Sequence, residues 1–126
     1  MPKPRILVAD GDALMRWSIA KRLQHGYDVT LVGTGAEALA ALGESSFHAL
    51  VIGCRLDDIT CVKLVDSARR SQAGLRVMVL QRYASFLGVC SCHEHPCDAV
   101  LTKPFKLSAL VESLDSLLGN LEQSAQ

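Results

Sequence analysis

The stretch Ala49-Leu50-Val51-Ile52-Gly53-Cys54-Arg55-Leu56-Asp57-Asp58 decides the fold, because it changes character at its middle. Its first half is a short apolar run of the kind that forms a strand buried on both faces, and its second half is a polar loop. Working outward, Ile6-Leu7-Val8-Ala9-Asp10-Gly11-Asp12 repeats the pattern near the start and ends in acids. Ala99-Val100-Leu101-Thr102-Lys103-Pro104-Phe105 repeats it near the end and finishes in a lysine. Acids after one strand, a lysine after another and a glycine at the tip between them suggest a phosphoryl-transfer site whose acceptor is missing. Gly53 stands where the carboxylate nucleophile would be expected.

The rest of the chain alternates strand and helix. Strands are expected over 5–9, 27–32, 48–52, 75–80 and 98–102, each a short apolar or β-branched run. In 13–25, Met15, Ile19 and Leu23 recur every fourth residue, with Asp12 as N-cap and Gly26 as terminator. In 35–42, Thr34 and Glu37 form a capping box ahead of Leu39 and Leu42, and Gly43 closes the helix. A shorter helix over 61–70 ends in Arg69-Arg70, favourable charges at a helix C-terminus. The last helix has a continuous apolar stripe at Leu107, Leu110, Val111, Leu114, Leu117, Leu118 and Leu121.

These alternating units predict an α/β fold, a five-stranded parallel sheet covered by helices on both faces. A single domain over 1–126 is expected, with its core at about 5–118 and a frayed tail over 119–126. In such sheets sites form beyond the carboxyl ends of the strands, where Asp10, Gly53, Gln81 and Lys103 should meet.

Composition narrows the function classes. Lys+Arg and Asp+Glu are 13 each, so no bulk field favours nucleic acid or a membrane surface. No apolar run approaches the ~20 residues of a membrane span, and the start, Met1-Pro2-Lys3-Pro4-Arg5, lacks a signal peptide's apolar segment. Five cysteines, an odd number, point to reduced thiols and a cytoplasmic location rather than to a disulfide framework.

Four segments, ILVADGD, VIGCRLDD, VMVLQRYAS and LTKPF, occur in order and at the usual spacing. On these, residues 5–118 resemble the receiver domain of bacterial two-component response regulators, the CheY-like family. The resemblance implies a flavodoxin-like three-layer sandwich with strand order 2-1-3-4-5, and a cis Lys103–Pro104 peptide. It also implies a signalling module of a phosphorelay rather than an enzyme.

In that family two adjacent acids after the first strand hold Mg²⁺, and an Asp after the third strand is phosphorylated. A Ser or Thr after the fourth strand and a Lys after the fifth contact the phosphoryl group. Here the first acid is Asp10, the second is Gly11, and Asp12 is a partial substitute or simply the helix N-cap. The acceptor maps to Gly53, the hydroxyl to Gln81, the lysine to Lys103, and the switching aromatic to Val100. Glycine has no side chain to carry an acyl phosphate. Mg²⁺ takes near-octahedral oxygen ligation, commonly with one or two carboxylates, so its binding is expected to be weak or lost and no cofactor is expected. The pattern is that of a pseudo-receiver. Asp10 and Lys103 read equally well as residual ligands and as a satisfied polar pair on an inherited scaffold. Asp57 and Asp58, four and five residues past position 53, are alternative acceptors in a third reading, or a solvated loop capping the next helix.

Cys90-Ser91-Cys92-His93-Glu94-His95-Pro96-Cys97 gathers three of five cysteines and two of four histidines. Thiolates and imidazoles suit zinc and other soft metals. A fourth helix is expected over 86–94, and on it Cys90 and Cys92 would point about 200° apart. The better ligand set is therefore Cys92, His95 and Cys97, with no clear fourth ligand, which keeps a metal- or thiol-sensing module as an alternative function. The competing reading makes Cys90 and Cys97 small core residues, and Cys54 and Cys61 packing residues beside the cleft.

The leading expectation is a phosphorylation-independent receiver-like protein that acts by binding another protein. The resemblance puts the partner face on the fourth helix, fifth strand and fifth helix, about 84–118, with Leu117, Leu118 and Leu121 available for pairing, including pairing into a homodimer. A flavodoxin-type flavin site is disfavoured, because Gly11-Asp12-Ala13-Leu14 is not a Ser/Thr-rich phosphate loop.

Overall fold

The three central strands are apolar on both sides, and their side chains divide between two cores. The computed structural model describes residues 3–53, 56–81, 97–102 and 105–125, without the side chains of residue 81 and of those beyond 119. The elements are β1 (Arg5–Ala9), α1 (Ala13–Leu23), β2 (Asp28–Val32), α2 (Gly35–Glu44), β3 (Ala49–Gly53), α3 (Cys61–Ser71), β4 (Arg76–Gln81), β5 (Ala99–Thr102) and the last helix, α4 (Leu107–Ala125). All five strands are parallel in the order β2-β1-β3-β4-β5, as expected.

Successive residues of a strand point to opposite faces. Leu7, Ala9, Leu50, Ile52, Val77 and Val79 pack with Ala38 and Leu42 of α2 and with Leu64, Val65 and Ala68 of α3. Ile6, Val8, Ala49, Val51, Met78 and Leu80 pack with Ile19 and Leu23 of α1 and with Leu110, Leu114 and Leu118 of α4. Burying each of the larger aliphatic side chains contributes about 1.5–3 kcal/mol, so helices on both faces are needed to cover the sheet. Among the described residues no helix is long and apolar enough to cross a membrane.

The caps agree with the sequence, with some displacements. Asp12 accepts from the amides of Leu14 and Met15. Thr34 Oγ1 accepts from the Glu37 amide at 3.1 Å, while Glu37 reaches back to the Gly33 amide at 3.2 Å. Gly26 and Gly43 are not the terminators. α1 stops at Leu23 with Gln24 as its cap, and α2 runs through Gly43 to Glu44, where extended Ser45 leads the chain out. α4 continues to Ala125, in keeping with the absence of proline and the good helix formers Leu121, Glu122, Gln123 and Ala125.

The stripe on α4 lies deeper than a pairing surface would need. Leu118 is buried in the core and Leu117 is partly buried against it. Among the described residues, the large apolar side chains that are exposed are Leu14 and Trp17 on α1, with Leu31 and Val100 less so.

Candidate functional site

Parallel register brings Asp10, Gly53 and the backbone of Gln81 to one edge of the sheet. Ala9 pairs with Ile52, Gly53 with Leu80, and Gln81 with Thr102. Asp10, which follows β1, therefore lies beside the tip of β3, and the ends of β4 and β5 adjoin it. The Gln81 side chain, Lys103 and the expected cis Lys103–Pro104 bond lie outside the described residues.

Asp10 is fully buried. Its backbone amide donates to the Val32 carbonyl at 3.2 Å, and its Oδ1 accepts from the Asp12 amide at 2.8 Å. That short loop bond, across the side-chain-free Gly11, fixes the direction of the carboxylate. The other oxygen, Oδ2, has no hydrogen-bond partner among the described residues. It points at Gly53. A Cβ placed on Gly53 would lie 2.0 Å from Asp10 Oδ2, 2.3 Å from its Cγ and 2.9 Å from its Cβ. All three distances are below what real contacts tolerate, so Asp10 occupies the space that a side chain at position 53 would enter. With Asp10 so placed, only glycine fits there.

The donors fall short of a divalent-cation site. Mg²⁺ in protein sites is commonly held by one or two carboxylates together with substrate phosphate and water. Gly11 and Gly53 contribute no side-chain oxygen. Asp12 Oδ1 is engaged by the α1 amides at 3.0 and 3.4 Å, and Asp10 Oδ1 by the Asp12 amide. Among the described residues, no three of His, Cys, Asp and Glu are grouped as a metal site requires. The described residues do not fit the ion that the fold family implies.

The acids beyond β3 are placed differently from the expectation. Asp58 does not cap the next helix; Thr60 does, accepting from the Lys63 amide at 3.2 Å. Asp58 instead reaches back to the start of α2, where Oδ1 accepts from Gly35 N at 2.8 Å and Oδ2 from Ala36 N at 2.9 Å. The Gly35 amide first, and then that of Ala36, holds its carboxyl below the ordinary value of 3.8. A helix N-terminus offers unpaired amides and partial positive charge, so a carboxylate there is well matched. Asp57 is exposed on the same loop.

Two features were missed in the sequence. Arg16 Nη1 donates to the Asp10 carbonyl at 2.7 Å, closing the β2 side of the cleft. Its position one turn after the Asp12 cap was the available signal. The second is the Asp58–α2 link, which no local pattern announces.

Of the proposed soft-metal ligands, Cys92 and His95 lie outside the described residues, as does the helix expected over 86–94. Cys97 is half-buried and packs against the core under α2 and α3, as does Cys61. That packing matches the reading of these two as core residues.

Residues 6–115 match the family model of the response regulator receiver domain. The response regulator receiver protein CpdR of Brucella abortus is 32% identical over 116 residues, covering 90% of this chain and 96% of CpdR. The transcriptional activator protein PfeR of Pseudomonas aeruginosa is 30% identical over 119 residues, covering 94% of this chain but 39% of PfeR. The transcriptional regulatory protein GlrR of Escherichia coli is likewise matched over only 27% of its length. The chain thus spans less than half of these two relatives. A CheY-like receiver domain from Methanospirillum hungatei superposes with a TM-score of 0.87 at 25% identity, covering 97% of this chain and 98% of the other. The receiver domain of the sensor histidine kinase PA1611 of Pseudomonas aeruginosa, solved with magnesium in its active site cleft, gives a TM-score of 0.82 at 24% identity. It covers 93% of this chain and 98% of its own. By family model, by a full-length relative and by fold, the chain belongs to the response regulator receiver domain family.

Proposed function

We propose that this chain is a receiver module of two-component signalling that works without phosphorylation, in the cytoplasm, by binding another protein. The observation that carries the proposal is the pairing of Gly53 with Asp10. There is no oxygen at the tip of β3 to take a phosphoryl group, and the space for one is filled by the neighbouring carboxylate. A module in this state keeps the shape of a receiver and lacks the chemistry that would switch it. Magnesium, coordinated in the cleft of the PA1611 receiver, would here meet one buried carboxylate and two glycines, so weak or absent binding is part of the proposal.

Asp58 is a poor substitute acceptor. Both of its oxygens are bound to α2 amides, and it is tied to α2 rather than aimed at the end of β5. The partner surface proposed for the module remains the region about 84–118, where Val100 is an exposed apolar residue of β5.

Incubation with a small-molecule phosphodonor and Mg²⁺, followed by intact-mass measurement, tests the proposal. Unmodified protein is expected. A stoichiometric phosphoryl adduct would overturn it, and loss of that adduct in Asp57→Ala or Asp58→Ala would identify the acid used instead.

A further inference from the structure

The sheet has two edge strands, and β2 is the unguarded one. Among the described residues β2 pairs with β1 alone, over five residues in unbroken register. Native proteins usually blunt such an edge with Lys, Pro, a bulge or a very short strand. β5, at the other edge, is four residues long and runs into Lys103-Pro104. Tyr27-Asp28-Val29-Thr30-Leu31-Val32 has neither Lys nor Pro and no bulge, and its one charge, Asp28, lies 3.9 Å from the Arg5 guanidinium.

Hydrogen bonds at the two ends of β2 fix which groups point outward. The Asp28 amide donates to the Pro4 carbonyl at 2.9 Å, and the Val32 carbonyl accepts from the Asp10 amide at 3.2 Å. Alternation then turns Asp28, Thr30 and Val32 towards β1, and the N–H and C=O groups of Val29 and Leu31 away from it. The side chains of Val29 and Leu31 lie on the α1 face, because their register partners Ile6 and Val8 belong to that core. Leu31 is 38% exposed. Beside Val29 runs a groove of about 660 Å³, lined by Ala20 and Gln24 of α1, by Tyr27 and Val29, and by Lys3 and Arg5.

We infer that β2 pairs antiparallel with β2 of a second copy of the chain, joining two sheets edge to edge into one. A two-fold axis normal to the sheet, between the two Thr30 residues, reverses the strand and keeps both α1 helices on one face. Thr30 then opposes its twin and Val29 opposes Leu31, and the outward groups of Val29 and Leu31 exchange four N–H to C=O bonds across the junction. On the α1 face, the exposed Leu31 of each copy lies beside Val29 of the other and enters the groove that Val29 lines. Any extended strand could take up the backbone bonds. A second copy also brings an apolar side chain, otherwise left in water, to the position that meets the groove. Antiparallel pairing further sets the Lys3 and Arg5 end of one edge against the Glu37 end of the other, where Glu37 accepts from the Gly33 amide at 3.2 Å. Arg16, at that same end, is already bound to the Asp10 carbonyl. An edge about 20 Å long and, with a helix layer on each face, about 25 Å tall offers roughly 1,000 Å² over the two copies, so the pairing is weak and concentration-dependent. The inference stands apart from the reading of the cleft, and neither outcome there affects it.

Sedimentation across a micromolar-to-millimolar concentration series, combined with cysteine cross-linking, tests it. Wild-type protein should show a monomer–dimer equilibrium, and Leu31→Lys, a charge placed on the edge, should stay monomeric throughout. The cross-link reads the register: residue 30 alone meets its own twin, as a non-hydrogen-bonded pair with Cα atoms about 4.5 Å apart, within disulfide reach. Under mild oxidation Thr30→Cys should give a 30–30 disulfide, identified by peptide mapping against the native cysteines. Asp28→Cys should give no such link, because its twin lies four residues away along the partner strand. Wild-type protein that stays monomeric, a Leu31→Lys variant that still dimerises, absence of the 30–30 link, or linkage at 28 as fast as at 30 would each overturn the inference. Far-ultraviolet circular dichroism establishes that the variants are folded.

Discussion

The carboxylate of Asp10 and the bare backbone of Gly53 are complementary: Oδ2 of the first lies 2.0 Å from where a Cβ on the second would stand. Gly53→Ala therefore forces Asp10 out of its buried position and should destabilise the fold by about 1–3 kcal/mol, the usual cost of overpacking. In an Asp10→Ala background the same substitution should cost much less. A double-mutant cycle by urea unfolding measures the coupling, and additive effects would mean that the two positions do not compete for space.

Asp58 links the β3–α3 loop to α2, and its stabilising effect should depend on pH. Its folded pKa is lowered from 3.8, so the link is fully present above that value and is lost as pH falls through the lower folded value. The difference in urea midpoint between wild type and Asp58→Ala should be constant at neutral pH and disappear in acid. A difference that grows with acidification would contradict the link.

Gly35 holds the other side of that junction. A Cβ there would lie 2.0 Å from Ile59 Cγ2. Gly35→Ala should cost about 1–3 kcal/mol despite alanine's better helix propensity, because the loop must move away from α2. Thermal melting reads the sign directly.

Leu118 and Trp17 invert the apparent roles of the two helices. Leu118→Ala should destabilise by about 2–5 kcal/mol, as a buried leucine does. Trp17→Ala should leave stability within about 0.5 kcal/mol, as for an exposed position, when measured on monomer.

The sheet was legible because its information is local. Apolar runs such as Leu50-Val51-Ile52 and caps such as Asp12 and Thr34 carry their signal within a few residues, and the parallel order follows from the family resemblance those runs support. The glycine at the tip of β3 was equally plain, since an absent side chain needs no geometry. What could not be read was the particular side-chain contacts that join distant segments. Asp58 reaches 23 residues back to Gly35, and the Asp10 carboxylate turns into a space opened 43 positions later. The exposure expected of Leu118 on the last helix failed for a related reason: a stripe shows which residues share a side, and the depth of Leu118 depends on how far α4 extends over the sheet.

The most direct measurement is a nuclear magnetic resonance comparison of the Asp10, Gly11 and Gly53 amides with and without Mg²⁺ and a phosphodonor. Superimposable signals are expected, because position 53 carries no side-chain oxygen and, among the described residues, no three of His, Cys, Asp and Glu are grouped as a metal site requires. Saturable shifts at those three amides, accompanied by a covalent phosphate, would contradict it.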